Sequence, residues 1–139
     1  MSNHTRKKRL LLVAPYSSKK VGGIGTWSIN VLNYIRKEKL VEVCFQNTAL
    51  NVEGFVQQNL VPRLPWGVVN SLRIILVTIK NLFVYKPSTV HYTSSASFAL
   101  FKDYIIVYVS TKIFKVNFVI HWHFGRIPAL RDENNWEWR

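Results

Sequence analysis

The stretch from Arg9 to Gln46 holds the pattern that most constrains the fold: an apolar run, a glycine-rich loop, an amphipathic segment and a second apolar run. "RLLLVAP" ends at Pro15 and is typical of a strand buried on both faces, as in parallel sheets. Apolar residues then recur at helical spacing, which predicts a helix (Ile24, Trp27, Val31, Ile35). "LVEVCFQ", from Leu40 onward, has the pattern of a second strand. This order is one βαβ unit.

The sequence after this unit continues the alternation of helices and strands. The predicted elements are a helix over Gly67–Tyr85, a strand over Ser88–Tyr92, a helix over Ser97–Phe114 and a strand over Lys115–His123. Lys86 and Pro87 should end the first of these helices. The segment Asn47–Trp66 has the least regular pattern, and we expect irregular structure there with room for one short strand.

The alternation predicts an α/β fold, a Rossmann-like open parallel sheet with helices on both faces. We expect one domain over residues 1–139, with a basic N-terminal tail at 1–8 and a polar segment at 126–139. Hydrophobic residues make up 48% of the chain, enough to bury a core and too many for a disordered protein.

The formal net charge of +12 indicates an anionic neighbour: nucleic acid, a phosphorylated ligand or an acidic membrane surface. Cys44 is the one cysteine, so an internal disulfide is excluded and a reducing compartment is favoured. Lysines interrupt the longest apolar runs before they reach the roughly 20 residues that a membrane span needs. We therefore expect a cytoplasmic protein that is soluble or attached peripherally to the inner face of a membrane.

Three sequence features fall where predicted strands end, which is where open α/β sheets bind their ligands. They are a glycine loop after the first strand, "HYTSS" after the fourth, if the short strand allowed in Asn47–Trp66 is counted, and "HWHFG" after the last. The candidate binding residues are Gly22, Gly23, Gly25 and Thr26 in the first, His91, Ser94 and Ser95 in the second, and His121, His123 and Gly125 in the third.

The glycine loop precedes a helix whose free N–H groups and dipole would favour a phosphate. A tight turn into a helix packed close to the sheet explains the glycines equally well. The loop is not a P-loop, because G-x-x-x-x-G-K-[ST] is missing, and Ser28 replaces the third glycine of a dinucleotide fingerprint. The sequence therefore favours neither nucleoside-triphosphate nor NAD binding.

The histidines and serines also have both a structural and a ligand-binding interpretation. His121 and His123 are two residues apart in a predicted strand, so their side chains can share a face. Gly125 allows a bend that would open a site at His123, but a metal would need a third ligand, and we expect none to be bound. The small polar residues of "TSSAS" have two equally good explanations: capping of the next helix, or binding of an anion or a sugar hydroxyl.

Taken in order, these segments resemble the N-terminal domain of GT-B glycosyltransferases of the family-4 type. The similar segments are "LLLVAPYSSKKVGGIGTWSINVLNYI", "KPSTVHYTSS" and "VIHWHFG", and they span nearly the whole chain from Arg9 to Gly125. The resemblance implies transfer of a sugar from a nucleotide sugar to a glycan or lipid-linked acceptor, without a catalytic metal. It also implies that the glycine loop approaches the donor diphosphate or the acceptor, and that His123 is the strand-end histidine near the reacting sugar.

The chain departs from this family in one respect. A second Rossmann-like domain with a Glu-x7-Glu pattern holds the donor in these enzymes, and no two glutamates here are eight residues apart. We therefore expect a partial enzyme that is inactive alone unless a second chain supplies the donor domain. The alternative is a non-enzymatic module that binds anions or nucleic acid, although the basic residues are spread out and no RNA-recognition motif is present.

Overall fold

The computed structural model describes residues 8–16, 23–39, 41–49, 60–94 and 100–122. The elements in chain order are β1 (Arg9–Ala14), α1 (Gly23–Glu38), β2 (Glu42–Asn47), α2 (Leu60–Tyr85), β3 (Thr89–Ser94), α3 (Leu100–Tyr108), a π-helical turn (Val109–Ile113) and β4 (Asn117–Trp122). The predicted alternation of strands and helices is confirmed in this part of the chain.

The four described strands form one parallel sheet in the order β2-β1-β3-β4. The register aligns Leu12 with Phe45 of β2 and with His91 of β3, and His91 with Val119 of β4. Paired residues of a parallel sheet lie on the same face, so Leu12, His91 and Val119 share a face. The α/β Rossmann-like fold expected from the sequence is confirmed.

Helices cover both faces of the sheet, and β1 and β3 contribute most of the strand residues that are buried between them. On one face α1 packs through Leu32 against Leu12 and Ala14. On the other face α2 and α3 pack through Ile74, Leu82 and Ile106; their partners in the sheet are Leu11, Val13, Val90 and Tyr92. The strand alternation therefore assigns the odd-numbered residues of β1 to the α2–α3 face and the even-numbered ones to the α1 face.

Two helical segments differ from the sequence prediction. Helix α2 begins at Leu60, so the expectation of irregular structure up to Trp66 is wrong for residues 60–66, and residues 50–59 lie outside the described part. Pro62 falls in the first turn, where its missing N–H has no helical partner to lose, and Pro65 is accommodated within the helix. The predicted helix Ser97–Phe114 is α-helical only to Tyr108, after which Phe114 N–H donates to the carbonyl of Val109 in a π-type turn.

Three of the described helical segments end at a lysine in the left-handed region, where glycine is more usual. Lys39 follows α1 at φ 51°, Lys86 follows α2 at φ 49°, and Lys115 follows the π-helical turn at φ 55°. A side chain in this region costs about 1 kcal/mol relative to glycine, and each lysine keeps its charge near carbonyls at a helix C-terminus. The predicted stop at Lys86 is thereby confirmed and explained.

The strand order defines the position of the crevice where a ligand can enter. From β1 the chain crosses to β2 on one side, and from β3 it crosses to β4 on the other side. This reversal makes a topological switch point between the carboxyl ends of β1 and β3. Of the predicted features, the glycine loop follows β1, whereas "HYTSS" does not follow β3: His91 to Ser94 belong to that strand, which extends two residues beyond the predicted end at Tyr92.

Candidate functional site

The carboxyl edge at the switch point is held together by bonds between neighbouring strands. Val13 of β1 is aligned with Tyr92 of β3, and the Thr93 hydroxyl donates to the carbonyl of Val13 at 3.3 Å. Beyond β1 the chain runs through Pro15 and Tyr16 toward α1, which begins at Gly23. The ends of β1, β3 and α1 therefore frame the candidate site.

Asn47, the last residue of β2, fixes the chain where it leaves β1. Its side-chain Nδ2 donates to the carbonyl of Tyr16 at 2.9 Å, and its Oδ1 accepts from the N–H of the same residue at 2.9 Å. The Oδ1 also accepts from Ala49 N–H at 2.9 Å. One amide side chain thus satisfies both backbone groups of Tyr16, the residue that enters the glycine loop.

Gly23 starts α1 with open space around it. A Cβ built at this position meets no atom of the described residues within 4 Å, and its φ is outside the left-handed region. Neither crowding nor backbone conformation therefore requires a glycine at this position, so the close-packing explanation from the sequence does not apply to Gly23. The first turn of α1 contains no acidic side chain that would offset the positive end of the helix dipole.

Trp27 lies one turn after Gly23 on the same side of α1 and contacts two of the predicted histidines. The Trp27 and His121 rings meet edge to face with centroids 4.4 Å apart, and the Trp27 and His91 centroids are 5.3 Å apart. The two histidine rings are separated by 5.9 Å. The structure therefore brings His91 of β3 and His121 of β4 together beneath the N-terminal half of α1.

Ser94 has a different environment, because it faces the α2–α3 side of the sheet. Its hydroxyl donates to Asp103 of α3, and both residues are buried. The Tyr92 hydroxyl donates to the same carboxylate at 2.5 Å, and the Lys102 ammonium bonds both Asp103 and Tyr92. Burial, and then the adjacent carboxylate, raise the pKa of Tyr92 well above its ordinary value. Ser94 thus anchors β3 to α3 through a buried polar cluster.

The six described candidates divide into three positions. Gly23, Gly25 and Thr26 lie in the first turn of α1, His91 and His121 lie under Trp27, and Ser94 lies in the buried cluster. The remaining candidates, Gly22, Ser95, His123 and Gly125, lie outside the described residues.

Sequence reasoning missed Asn47 and the Lys102–Asp103 pair as positioning residues. The position of Asn47 directly after a strand was the available signal, because strand ends gather at one edge of the sheet. The Lys102–Asp103 pair is visible in the sequence only as an interruption of an apolar run, and its partners Tyr92 and Ser94 come from another element.

Two cavities of the described region have no lining residue from the first turn of α1, from β3 or from β4. One of about 260 Å³ opens between β2 and α2, with Gln46, Asn47, Arg73 and Asn81 among its lining residues. Another of about 360 Å³ lies at the amino end of β2, beside Lys39 and Glu42. In the same described region no three His, Cys, Asp or Glu side chains gather as a metal site would require. We assign the candidate site to the switch point because the first turn of α1, His91 and His121 lie together on the α1 face of the sheet.

Comparisons with protein-family models, with curated proteins and with solved structures found no match to this chain.

Proposed function

We propose that this chain is the acceptor-side half of a GT-B glycosyltransferase of the family-4 type, and that it binds a nucleotide sugar or its acceptor at the β1–β3 switch point. The observation that carries the proposal is the pairing of an unobstructed helix start at Gly23 with the Trp27–His91–His121 cluster one turn away. The donor consists of a diphosphate joined to a sugar. The start of α1 suits the diphosphate, and the aromatic cluster suits the sugar.

The glycine loop supplies the anion-binding part of the proposed site. The N–H groups of the first turn of α1 have no helical partner, and the helix dipole adds positive potential there. A glycine at position 23 lets a phosphate oxygen approach the main chain without meeting a Cβ. We expect no metal ion to take part in phosphate binding at this point.

The aromatic cluster supplies the sugar-binding part. Imidazole nitrogens donate to or accept from hydroxyl groups, and the indole of Trp27 offers an apolar surface for C–H groups of a sugar ring. His123, which resembles the family's strand-end histidine, follows β4 by one residue and is the proposed residue nearest the reacting sugar. Transfer would additionally require a donor-binding domain, from a second chain or from further sequence, so we expect no turnover by the 139 residues alone.

Calorimetric titration with UDP-sugars and GDP-sugars tests the binding step. We expect weak binding, and Gly23→Val should reduce the affinity about tenfold or more, since a branched side chain blocks approach to the main chain. Gly67→Val is the matched control, because Gly67 also lies in a helix with open space at its Cβ position and is far from the switch point in sequence and topology. His123→Ala tests the sugar-binding part.

The outcomes separate the proposal from its alternative. Loss of binding in Gly23→Val and His123→Ala, with Gly67→Val unchanged, supports a nucleotide-sugar site at the switch point. Binding of RNA or inorganic phosphate with equal affinity, unaffected by Gly23→Val, would favour the non-enzymatic anion-binding module. Absence of nucleotide-sugar binding by a folded chain would contradict the proposal on the donor side and leave only acceptor binding to be tested.

A further inference from the structure

Helix α2 presents an apolar surface to solvent between Trp66 and Val84. Val69, Leu72, Leu76 and Phe83 recur at helical spacing and are all exposed, with Leu76 at 66%. The segment Pro65–Tyr85 is long and apolar enough to cross a membrane by length and composition, with a mean hydropathy of 1.5, and it is the one such helix in the described part of the chain. Only 17% of that apolar window is buried, so the sheet does not cover most of it.

The side of α2 that faces the sheet combines apolar and polar residues: Ile74 and Leu82 pack in the core, and two polar side chains lie beside them. Thr78 and Asn81 bond the buried Gln46 of β2, at 3.0–3.2 Å and 3.1 Å. Gln46 also donates to the carbonyl of Ile74 at 3.0 Å. A helix of a water-soluble domain usually keeps its apolar residues on the inward side, whereas α2 carries apolar residues on its outward side as well. The arrangement is that of a helix with a second apolar environment on its outer side.

Helix α3 extends the same surface with aromatic residues. It packs beside α2 on the same face of the sheet, and its outward positions are Phe101, Tyr104 and Tyr108, with Phe101 exposed at 75%. Phe83 of α2 meets Phe114, after α3, edge to face at 4.7 Å, which makes the apolar surface continuous. We call this surface the outer helix face and define it by Val69, Leu72, Leu76, Phe83, Phe101 and Tyr104.

The charges beside the outer helix face have one sign. Arg73 and Lys80 are exposed on α2 and seven residues apart, so they lie along one border of the apolar stripe, and Lys112 is exposed beyond α3. From Gly54 to Arg131 the sequence contains a single acidic residue, Asp103, and that residue is buried in the Lys102–Tyr92–Ser94 cluster. The face therefore combines exposed apolar, aromatic and basic groups without an exposed carboxylate.

We propose that the outer helix face docks on the surface of an anionic lipid bilayer. Leucine and phenylalanine side chains would enter the interface, tyrosines would sit at the headgroup level, and lysine and arginine would meet the lipid phosphates. The helix lies on the bilayer and does not cross it, because its inner side is bonded to β2 through Gln46. A second copy of the chain fits the face less well, because each copy carries a net charge of +12.

Co-sedimentation with vesicles tests the proposal and does not depend on the proposed sugar chemistry. Phosphatidylcholine vesicles are compared with vesicles that contain about 30% phosphatidylglycerol, each at about 0.05 M and about 0.5 M salt. The test variant is Leu76→Gln with Phe101→Gln, and the matched control is Tyr34→Gln, an exposed residue at 60% on α1, on the opposite face of the sheet. All substituted side chains are exposed, so circular dichroism should show unchanged folding.

The proposal predicts that the protein binds the anionic vesicles in preference to the neutral ones. The affinity for anionic vesicles should be at least about tenfold lower in the Leu76→Gln, Phe101→Gln variant and unchanged in Tyr34→Gln. High salt should weaken the binding without abolishing it, because the apolar contribution is not screened. Equal binding by all three proteins, or no binding to anionic vesicles, would overturn the proposal. A dimer in analytical ultracentrifugation that the double substitution dissociates would instead assign the face to a second copy. The double variant should keep its nucleotide-sugar affinity, so failure of this proposal and failure of the proposed function can be distinguished.

Discussion

Asp103→Ala should be among the most destabilising single substitutions in the described part of the chain. The Asp103 side chain is 5% exposed and accepts hydrogen bonds from Tyr92, Ser94 and Lys102. Removing one partner of a buried ion pair costs about 3–5 kcal/mol, because the other charge is left buried. Here that charge is the ammonium of Lys102, whose side chain is 12% exposed. The two hydroxyl donors also lose their acceptor, and this loss is included in the same range.

Urea unfolding followed by circular dichroism measures this free energy. A domain of this size has a total stability of about 5–15 kcal/mol, so the loss in Asp103→Ala takes a large share of it. A second variant therefore accompanies it: Lys102→Met with Asp103→Leu removes both charges, and it should recover at least half of the loss. Glu42→Gln is the matched control, because its ion pair with Arg9 at 3.4 Å lies near the surface, with the Glu42 side chain 54% exposed, and should contribute less than about 0.5 kcal/mol. A loss below about 1 kcal/mol in Asp103→Ala, or one equal to that in Glu42→Gln, would refute the reasoning.

Three further predictions concern other buried or bridging polar groups. Asn47→Ala should lower the free energy of unfolding by about 1–2 kcal/mol, because the hydrogen bonds to Tyr16 after β1 are lost. Asn33→Ala, at an exposed position on α1, should change it little. Equal effects of the two variants in thermal melts would contradict the positioning role of Asn47. Thr78→Val should lower the free energy of unfolding by about 1–3 kcal/mol, because the buried Gln46 loses a hydrogen-bond partner. Thr111→Val loses only a local bond to the carbonyl of Val107, and urea titrations should show a smaller decrease for it. Because the pKa of Tyr92 is raised in the folded chain, the unfolded chain loses this proton first as the pH rises above about 10. The free energy of unfolding therefore keeps the full contribution of Tyr92 below about pH 10. Above that pH it falls by up to about 1.4 kcal/mol per pH unit. Urea titrations between pH 8 and 11 should show a shallower fall in Tyr92→Phe, and an unchanged slope would sink this assignment.

The order of the elements could be predicted because each strand is a short apolar run and each helix has a visible period. The residues of β1 are buried between two helical layers, and "RLLLVAP" shows this directly as a run without polar interruption. The start of α2 could not be predicted, because Pro62 and Pro65 are usual signs of irregular chain. In the structure the helix nevertheless continues back through both prolines to Leu60.

The candidate site could be predicted in part, for a reason of topology. Strand ends gather at one edge, so the glycines, His91 and His121 could be grouped from sequence alone. The contacts that Trp27 and Ser94 make could not be predicted from the sequence. In the sequence Trp27 is one of four apolar residues whose spacing predicts α1, and in the structure it lies against two histidines. Ser94 is predicted as a binding hydroxyl, yet it bonds Asp103 nine residues later. These contacts depend on which face of β3 each residue occupies, and only the register of the sheet determines that.

The most direct test of the central claim is an NMR titration of the ¹⁵N-labelled chain with UDP-sugars and GDP-sugars, which reports where a ligand binds. Binding at the switch point predicts that the amide signals of Gly23 to Trp27 and the Trp27 indole signal shift together, while the signals of Arg73 and Asn81, beside the cavity between β2 and α2, stay in place. Shifts confined to that cavity, or no shifts at saturating nucleotide sugar, would contradict a nucleotide-sugar site at the β1–β3 switch point.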